Sequence, residues 1–281
     1  MKIKSFRIDN LYGRYFFFSA LDEKVNILVG NNGTFKTTVL NIIRHTAAYG
    51  EMPNTKYATA ELALDEGITV SHPRKITMNG VKMKVEDYVK KIKLDYISTF
   101  DIKDKDINTQ QTLLDKRLHK LQSDYGYYLN GLQKQIAKIL NIEGVLTKDI
   151  YNQVYTRRNL FVKLVNAAFK DTGKVIDNDS EKLQFILDTK TSILADQLSS
   201  GEKQLLIILL TVLLEDGKDY VIIMDEPEIS LHISWQYKLI DWILMLNPNV
   251  QIILTTHSPM IFADGWGEKA IYMDKITKIE G

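Results

Sequence analysis

The stretch that decides the fold is Gly30-Asn31-Asn32-Gly33-Thr34-Phe35-Lys36-Thr37-Thr38. The β-branched run at residues 25–29 precedes it and predicts a strand, and apolar side chains recur at helical spacing over residues 36–49. A glycine-containing loop between a strand and a helix presents backbone N–H groups to phosphates. We therefore predict a P-loop. Its candidate nucleotide-binding residues are Asn31, Asn32, Gly33, Thr34, Phe35, Lys36, Thr37 and Thr38.

Lys36 and Thr37 are the residue types that a P-loop needs at its helical end. The ammonium of Lys36 would reach the β and γ phosphates, and the hydroxyl of Thr37 would bind Mg²⁺. Phe35 departs from the pattern, which has glycine directly before the lysine. The Phe35 ring must point away from the phosphates, which is possible if this position has a helical φ. A strand, turn and helix without a ligand is the alternative for this motif taken alone.

A second candidate anion site is Leu198-Ser199-Ser200-Gly201-Glu202-Lys203-Gln204, which precedes the apolar residues 205–214. A helix N-terminus attracts negative charge, so these residues could face a phosphate. Ser199 and Glu202 are also three positions apart, and a simple N-terminal capping box is the alternative. The candidate residues are Ser199, Ser200, Gly201 and Glu202.

Two predicted buried strands end in polar side chains. Residues 221–224 lead into Asp225 and Glu226, and residues 252–254 lead towards His257. Ligands of open α/β sheets bind at the carboxyl ends of the strands. Asp225 suits a Mg²⁺ contact, Glu226 suits a general base, and His257 adds a polar group at the same edge. The alternatives are two acids that begin the next helix and a purely structural histidine.

The order of these four motifs resembles that of the ATP-binding-cassette (ABC) ATPases: Walker A, signature, Walker B with its glutamate, and switch histidine. Asp225-Glu226-Pro227-Glu228-Ile229-Ser230-Leu231-His232 and Thr256-His257-Ser258-Pro259 are similar to the SMC/Rad50/RecF/OLD branch. Residues 3–13 are similar to the start of compact AAA_21/AbiEii-like ATPases, as in bacterial anti-phage defence systems. The resemblance covers about residues 1–110 and 185–281.

This resemblance implies ATP and Mg²⁺ as cofactors and a homodimer that holds ATP between its two copies, head to tail. Ser199 and Gly201 of one copy would contact the γ-phosphate held by Lys36 of the other. Glu226 would activate water, and His257 would sense the γ-phosphate. The resemblance also calls for an adenine-stacking side chain and a Q-loop glutamine.

Tyr12 and Tyr15 are candidates for stacking on adenine, with packing inside the protein as the alternative. We place no Q-loop glutamine, because none directly follows the strand predicted at residues 94–100. Gln110 and Gln111 are remote from the end of that strand.

The predicted fold class is α/β: an ABC-type P-loop NTPase head, with a mixed sheet and an antiparallel β layer, carrying a helical insert lobe. Alternation at residues 57–84, with the hairpin signal Asn79-Gly80, predicts the antiparallel layer. Apolar spacing predicts helix from about 108 to 170, interrupted near Gly144. Further predicted elements are strands at 220–224, 250–255 and 270–279 and a helix at 230–246.

Two predicted domains follow from this pattern. The ATPase head would comprise residues 1–107 and 186–281, and the helical lobe would comprise residues 108–185. The lobe carries basic side chains that predict a solvated helix face or, alternatively, a docking or DNA-backbone face. They are Lys116, Arg117, His119, Lys120, Arg157 and Arg158.

Composition excludes several classes of protein. The 281 residues carry a formal net charge of +1, and they include five histidines and no cysteine. Disulfides, thiolate metal sites and cysteine nucleophiles are therefore excluded. The apolar stretch at residues 205–214 is too short for a membrane helix. We find no signal peptide, and we expect a cytoplasmic protein without a membrane partner.

The leading hypothesis is an ATP-hydrolysing, dimerising ATPase that regulates a separate effector, a nuclease or toxin, in anti-phage defence. We expect no nuclease domain within this chain, and binding of DNA or another nucleic acid stays open. One alternative is a nucleotide-gated scaffold with negligible hydrolysis, for which Phe35 is the motive. The other alternative is the nucleotide-binding subunit of a membrane transporter. The missing Q-loop counts against this alternative.

Overall fold

The computed structural model describes residues 1–49, 59–98, 112–178, 180 and 182–280. Several predicted features lie outside these residues: the strand end after Ser98, Gln110, Gln111 and the predicted boundary between residues 107 and 108. Within the described residues, no helix combines the length and the apolar character that crossing a membrane requires.

The described residues form fifteen strands and eight α-helices. The strands are β1 (Ile3–Leu11), β2 (Tyr15–Ala20), β3 (Val25–Val29), β4 (Thr59–Leu64), β5 (Ile68–His72), β6 (Lys75–Met78), β7 (Val81–Lys82), β8 (Leu94–Ser98), β9 (Lys174–Ile176), β10 (Gln184–Leu187), β11 (Ser192–Leu194), β12 (Tyr220–Asp225), β13 (Val250–Thr256), β14 (Ala270–Tyr272) and β15 (Thr277–Ile279). The helices are α1 (Lys36–Ala47), α2 (Val85–Lys91), α3 (Leu113–Glu143), α4 (Lys148–Ala168), α5 (Ser200–Leu214), α6 (Ile233–Gln236), α7 (Leu239–Leu246) and α8 (Met273–Ile276).

The chain divides into two compact units. The first comprises Met1–Thr99, Lys218–Ile229 and Asn249–Gly281, and the second comprises Phe100–Gly217 and Ser230–Pro248. These units do not coincide with the predicted domains, because residues 186–217 and 230–248 group with the helical segment. The boundaries of the predicted ATPase head and helical lobe stay a prediction.

A five-stranded parallel sheet forms the centre of the first unit, in the order β14-β3-β13-β12-β8. Every residue of β12 and β13 is buried, which explains why their sequences are apolar on both faces instead of alternating. The two strands pair in parallel with Asp225 opposite Thr255. The carboxyl ends of β3, β12 and β13 therefore meet at one edge of the sheet.

A second sheet of seven strands completes the first unit, in the order β15-β2-β1-β4-β5-β6-β7. It is antiparallel throughout, as the alternation at residues 57–84 predicts. Asn79 and Gly80 both have positive φ, at 51° and 81°, and they join β6 to β7 with Met78 opposite Val81. The predicted hairpin and the antiparallel β layer are confirmed.

Helix α1 connects the two sheets through its apolar face. Val39, Ile42 and Ile43 are fully buried, and they share one core cluster with Phe6 of β1 and Ile223 of β12. The helix contacts strands of both sheets. Packing on both sides fixes the direction in which the N-terminus of α1 points.

Buried amides link the first strand to the parallel sheet. The side chain of Gln251 accepts a hydrogen bond from the backbone N–H of Ile3 and donates to the carbonyls of Ile3 and Asp22, each at 2.8 Å. Asn26 similarly donates to the carbonyl of Asp22 at 2.8 Å. Gln251 is fully buried, so these bonds satisfy groups that water does not reach.

The second unit contains the long helices α3 and α4 and the buried helix α5. Helix α3 begins with a capping box between Thr112 and Asp115 and ends at Gly144, whose φ of 71° is left-handed. The helical hairpin and its interruption therefore match the prediction. Residues 205–214 of helix α5 are apolar on every face apart from Thr211, and the helix is therefore buried on all sides beyond its first turn.

Three local features differ from the sequence prediction. The predicted lobe is not wholly helical, because β9 and β10 form an antiparallel sheet with β11. Their strands have three or four residues, too short for a clear alternation. The single helix predicted at 230–246 is two helices, α6 and α7. The last predicted strand is β14, α8 and β15, so residues 270–279 pair first with β3 and then with β2.

Candidate functional site

The P-loop of the first unit lies between the end of β3 and the start of α1. A cavity of about 350 Å³ opens at this point. Of the predicted site residues, it is lined by Asn32, Gly33, Thr34, Phe35, Lys36, Thr37, Thr38, Glu226 and His257. The structure thus brings the Walker A loop together with the candidate general base and the candidate switch histidine.

Phe35 is the N-cap of α1 and has φ 65° and ψ 16°. This backbone is left-handed, so Phe35 does not have the helical φ that the sequence prediction sets as its condition. The position has the conformation that glycine adopts easily and a side chain with a Cβ adopts at a cost. The Phe35 ring lies near Tyr15, Tyr12 and Phe17, with centroid distances of 4.7, 5.7 and 6.1 Å.

These ring contacts clarify the tyrosines predicted as adenine-stacking candidates. Tyr12 and Tyr15 both pack on Phe35, as the packing alternative predicts. The guanidinium of Arg14 lies 4.8 Å from the centre of the Tyr15 ring. Tyr12 is 49% exposed, so part of its surface still faces solvent. Its role in binding a base stays a prediction.

Lys36 is buried, and its ammonium is turned back onto the loop. Its Nζ donates to the carbonyl oxygens of Gly30 and Asn31, at 2.9 and 3.2 Å, and lies 2.7 Å from Nε2 of His257. Burial lowers the pKa of Lys36, and the nearby carboxylates, that of Glu226 foremost, oppose this shift. A phosphate would be a stronger acceptor for this ammonium than the carbonyl oxygens, because a phosphate carries a full negative charge.

Asp225 connects the Walker B strand to the P-loop. Its Oδ1 accepts hydrogen bonds from the hydroxyls of Thr37, at 3.0 Å, and Thr255, at 2.6 Å. The Thr255 hydroxyl also accepts from the backbone N–H of Glu226 at 3.0 Å. Thr255 therefore fixes both acids of the motif. Sequence reasoning missed it, although its place opposite Asp225 in the predicted neighbouring strand was a usable signal.

Glu226 and His257 lie side by side at the edge of the cavity. Glu226 Oε1 is 3.0 Å from His257 Nε2, the same nitrogen that approaches Lys36. That nitrogen accepts from Lys36 when it carries no proton and donates to Glu226 when it does, but it cannot do both. Glu226 has φ 49°, so its backbone is also left-handed. Two strained residues thus flank one cavity, a common feature of functional sites.

The signature segment belongs to the second unit, and its geometry is local. Ser199 and Glu202 form the capping box, so this alternative is present in the structure. The Glu202 carboxylate is 2% exposed and also accepts from Thr172 and Lys174, each at 2.8 Å. Burial raises the pKa of Glu202, but these hydrogen bonds outweigh it, and the net shift is downward. Its predicted nucleotide contact stays a prediction.

Gly201 is close to the segment that follows Walker B. A Cβ at Gly201 would lie 2.3 Å from the carbonyl oxygen of Ser230, too near for any side chain. Ser199 and Ser200, by contrast, are exposed at the start of α5. The Ser199 hydroxyl is already hydrogen-bonded to the Glu202 carboxylate at 2.9 Å, and Glu202 holds the loop in place. Phosphate contacts of Ser199, Ser200 and Gly201 stay a prediction.

Comparison with known proteins tests the family resemblance. Residues 152–263 match the AAA_21 family model (AAA domain, AbiEii toxin candidate, Type IV TA system). The Septu protein PtuA of Bacillus thuringiensis is 27% identical over 291 residues, which cover 92% of this chain and 72% of PtuA.

Solved structures test the fold. The SMC head domain from Thermotoga maritima superimposes with a TM-score of 0.54 at 15% identity, over 100% of this chain and 98% of that one. An SMC head bound to the C-terminal winged-helix domain of ScpA gives a TM-score of 0.61 at 14% identity, over 100% and 97%. The chain therefore has the fold of SMC heads, with a P-loop after its third strand. Its resemblance to the AAA_21/AbiEii-like family is confirmed over residues 152–263.

Proposed function

We propose that this chain binds and hydrolyses ATP with Mg²⁺. The observation that carries the proposal is the convergence of Lys36, Thr37, Asp225, Glu226 and His257 at the carboxyl edge of the parallel sheet. These residues come from three segments that are far apart in the sequence. Their types are those expected for phosphoryl transfer to water: a cation, oxygen donors for a metal, a base and a polar sensor.

The donor set fits a magnesium nucleotide. Hydroxyl and carboxylate oxygens are the ligands that Mg²⁺ prefers, and Thr37 and Asp225 supply one of each at 3.0 Å from one another. Lys36 and the backbone N–H groups of the loop would hold the phosphates. Bound Mg²⁺ would neutralise charge on the β and γ phosphates during transfer.

The protein groups then have separate tasks. Glu226 takes a proton from water, because its side chain lines the cavity and no other described carboxylate does. His257 orients Glu226 when its Nε2 carries a proton. Lys36 leaves the carbonyls of the loop when a phosphate offers a stronger acceptor.

The experiment compares Glu226→Gln with wild type. Loss of the base should lower the rate of ATP hydrolysis by about 10²- to 10⁴-fold while nucleotide binding is retained. Glu61→Gln makes the same change of charge at an exposed position of β4 and serves as the control. Hydrolysis that survives in Glu226→Gln would refute the assigned base.

Dimerisation is the second part of the proposal. Ser199 and Gly201 of one copy would complete the site at Lys36 of the other, as the resemblance to ABC-type ATPases implies. Glu226→Gln should then accumulate as an ATP-dependent dimer in size-exclusion chromatography with light scattering. A second substitution, Lys36→Ala, should abolish that dimer. A variant that binds ATP and Mg²⁺ yet keeps the mass of a monomer would exclude the sandwich.

Regulation of a separate effector, a nuclease or toxin in anti-phage defence, is the third part. It is supported by the similarity to the Septu protein PtuA and by the AAA_21 match, whose description refers to a TA system. Affinity purification from the native host, with and without ATP, should recover a stoichiometric protein partner. The same preparation, analysed for nucleic acid, decides whether DNA is also bound. Recovery of the ATPase alone under both conditions would reject this part.

A nucleotide-gated scaffold is the second candidate function. The observation that favours it is Phe35, which is held in left-handed backbone where P-loops have glycine. Steady-state hydrolysis by wild type, Lys36→Ala and Phe35→Gly separates the two candidates. Equal background rates in all three, together with tight nucleotide binding by wild type, would favour the scaffold.

A further inference from the structure

Glu228 is a buried acid that the proposed mechanism does not use. It lies three residues after Asp225, in the turn that follows β12, and it is only 9% exposed. Buried carboxylates are rare unless hydrogen bonds compensate for their lost hydration. The partners of Glu228 therefore indicate why an acid is present at this position.

One oxygen of Glu228 receives three donors from the end of β13. Its Oε1 accepts from the hydroxyl of Thr256 at 2.6 Å and from the backbone N–H groups of His257 and Ser258 at 2.8 and 3.2 Å. The Thr256 hydroxyl in turn accepts from the N–H of Ser258 at 2.9 Å. The carboxylate thus holds the backbone on both sides of the His257 Cα.

We infer that Glu228 is a positioning residue that fixes His257 against Glu226 and Lys36, so that the imidazole acts from one defined place. This inference rests on the proposed function. It follows from the backbone contacts, because the direction of the His257 side chain depends on the two peptide units that Glu228 binds. Hydrogen bonds to a charged acceptor are stronger than neutral ones, which makes a carboxylate better suited than an amide.

The position of the His257 ring matters because its Nε2 has two partners in the site. His257 Nε2 lies within hydrogen-bonding distance of both Lys36 Nζ and Glu226 Oε1, at 2.7 and 3.0 Å. A displacement of about 1 Å at such a centre can lower turnover by about two orders of magnitude, and a displacement of a few tenths of an ångström lowers it by less. Nucleotide affinity should depend less on Glu228, because this residue is not part of the cavity lining.

The kinetic test uses Glu228→Gln, which keeps the size of the side chain and removes its charge. We expect turnover to fall about tenfold, while the affinity for a fluorescent ATP analogue stays within about twofold. Thr256→Val removes one of the three donors and should lower turnover in the same direction by less. Thermal unfolding of each variant identifies any loss that reflects misfolding, and Glu61→Gln is the control for charge.

A second measurement needs neither nucleotide nor hydrolysis. The protein is labelled with ¹⁵N only at its five histidines, and the backbone amide resonance of His257 is assigned by its loss in His257→Gln. The hydrogen bond to the Glu228 carboxylate should shift this resonance downfield. Glu228→Gln should move this resonance upfield and leave the other four in place.

The outcomes separate the inference from the function on which it rests. Unchanged turnover in Glu228→Gln would overturn the inference, and so would reduced turnover with an unmoved His257 amide. If wild type hydrolyses no ATP, the proposed function fails. The amide resonance then decides the positioning contact alone: an upfield shift supports it, and no shift overturns it.

Discussion

The stability of the P-loop should depend on Phe35 in two opposing ways. Its left-handed backbone, with φ 65°, costs roughly 1–2 kcal/mol for a residue that has a Cβ. Its ring pairs with Tyr12, Tyr15 and Phe17, and each such pair contributes about 0.5–1.5 kcal/mol beyond area burial. The three pairs together contribute about 1.5–4.5 kcal/mol, which matches or exceeds the strain. Burial of the ring adds to this, which explains why a phenylalanine is tolerated here.

Two substitutions at this position separate the two effects. Phe35→Ala loses the ring but keeps the strained Cβ, and it should destabilise the protein by about 2–4 kcal/mol. Phe35→Gly loses the same ring and relieves the strain, so it should be more stable than Phe35→Ala by about 1 kcal/mol. Both variants should remain less stable than wild type.

Urea denaturation followed by far-ultraviolet circular dichroism measures these differences. Phe18→Ala is the matched control, because Phe18 lies on β2 and is 60% exposed. Its loss should change the free energy of unfolding by less than about 0.5 kcal/mol. An alanine variant as stable as the glycine variant would refute the strain. A glycine variant more stable than wild type would refute the dominance of the aromatic contacts.

Three further predictions concern other buried contacts. Gly201→Ala should destabilise by about 1–3 kcal/mol, because the new Cβ would lie 2.3 Å from the carbonyl oxygen of Ser230; urea titration measures the loss. Gln251→Leu should cost roughly 2–4 kcal/mol in the same assay, since it leaves buried backbone groups without partners. The pKa of Glu202 is depressed in the folded state, so its contribution to stability is present at neutral pH and is lost as the pH falls through its folded pKa. Lys174→Met should therefore destabilise the protein more at pH 7 than at pH 3, and equal losses at both would contradict this role.

Much of the first unit was predictable because its signals are local. The P-loop, the hairpin at Asn79-Gly80 and the buried strand before Asp225 each follow from residue types at fixed spacing. The meeting of Asp225 and His257 at one sheet edge followed from their places after two buried strands. This last prediction needs only the rule that the carboxyl ends of parallel strands lie at the same edge of a sheet.

What escaped prediction depends on contacts between distant segments. The Phe35 ring contacts Tyr15 and Phe17 of an antiparallel layer that no local pattern connects to the P-loop. Glu228 and Thr255 have ordinary polar side chains, and only the fold places them against Walker B and His257. The sheet of β9, β10 and β11 has strands too short to show a period of two.

The order of strands in the parallel sheet has a consequence for synthesis on the ribosome. Strand β3 pairs only with β13 and β14 in this sheet, and the Lys36–His257 contact joins residues 221 positions apart. At roughly 5–20 residues per second, the emerging P-loop strand waits about 10 to 45 s for its first neighbour. Strand β3 lacks this partner throughout that interval, so we expect the nascent chain to depend on chaperones until β13 has left the exit tunnel.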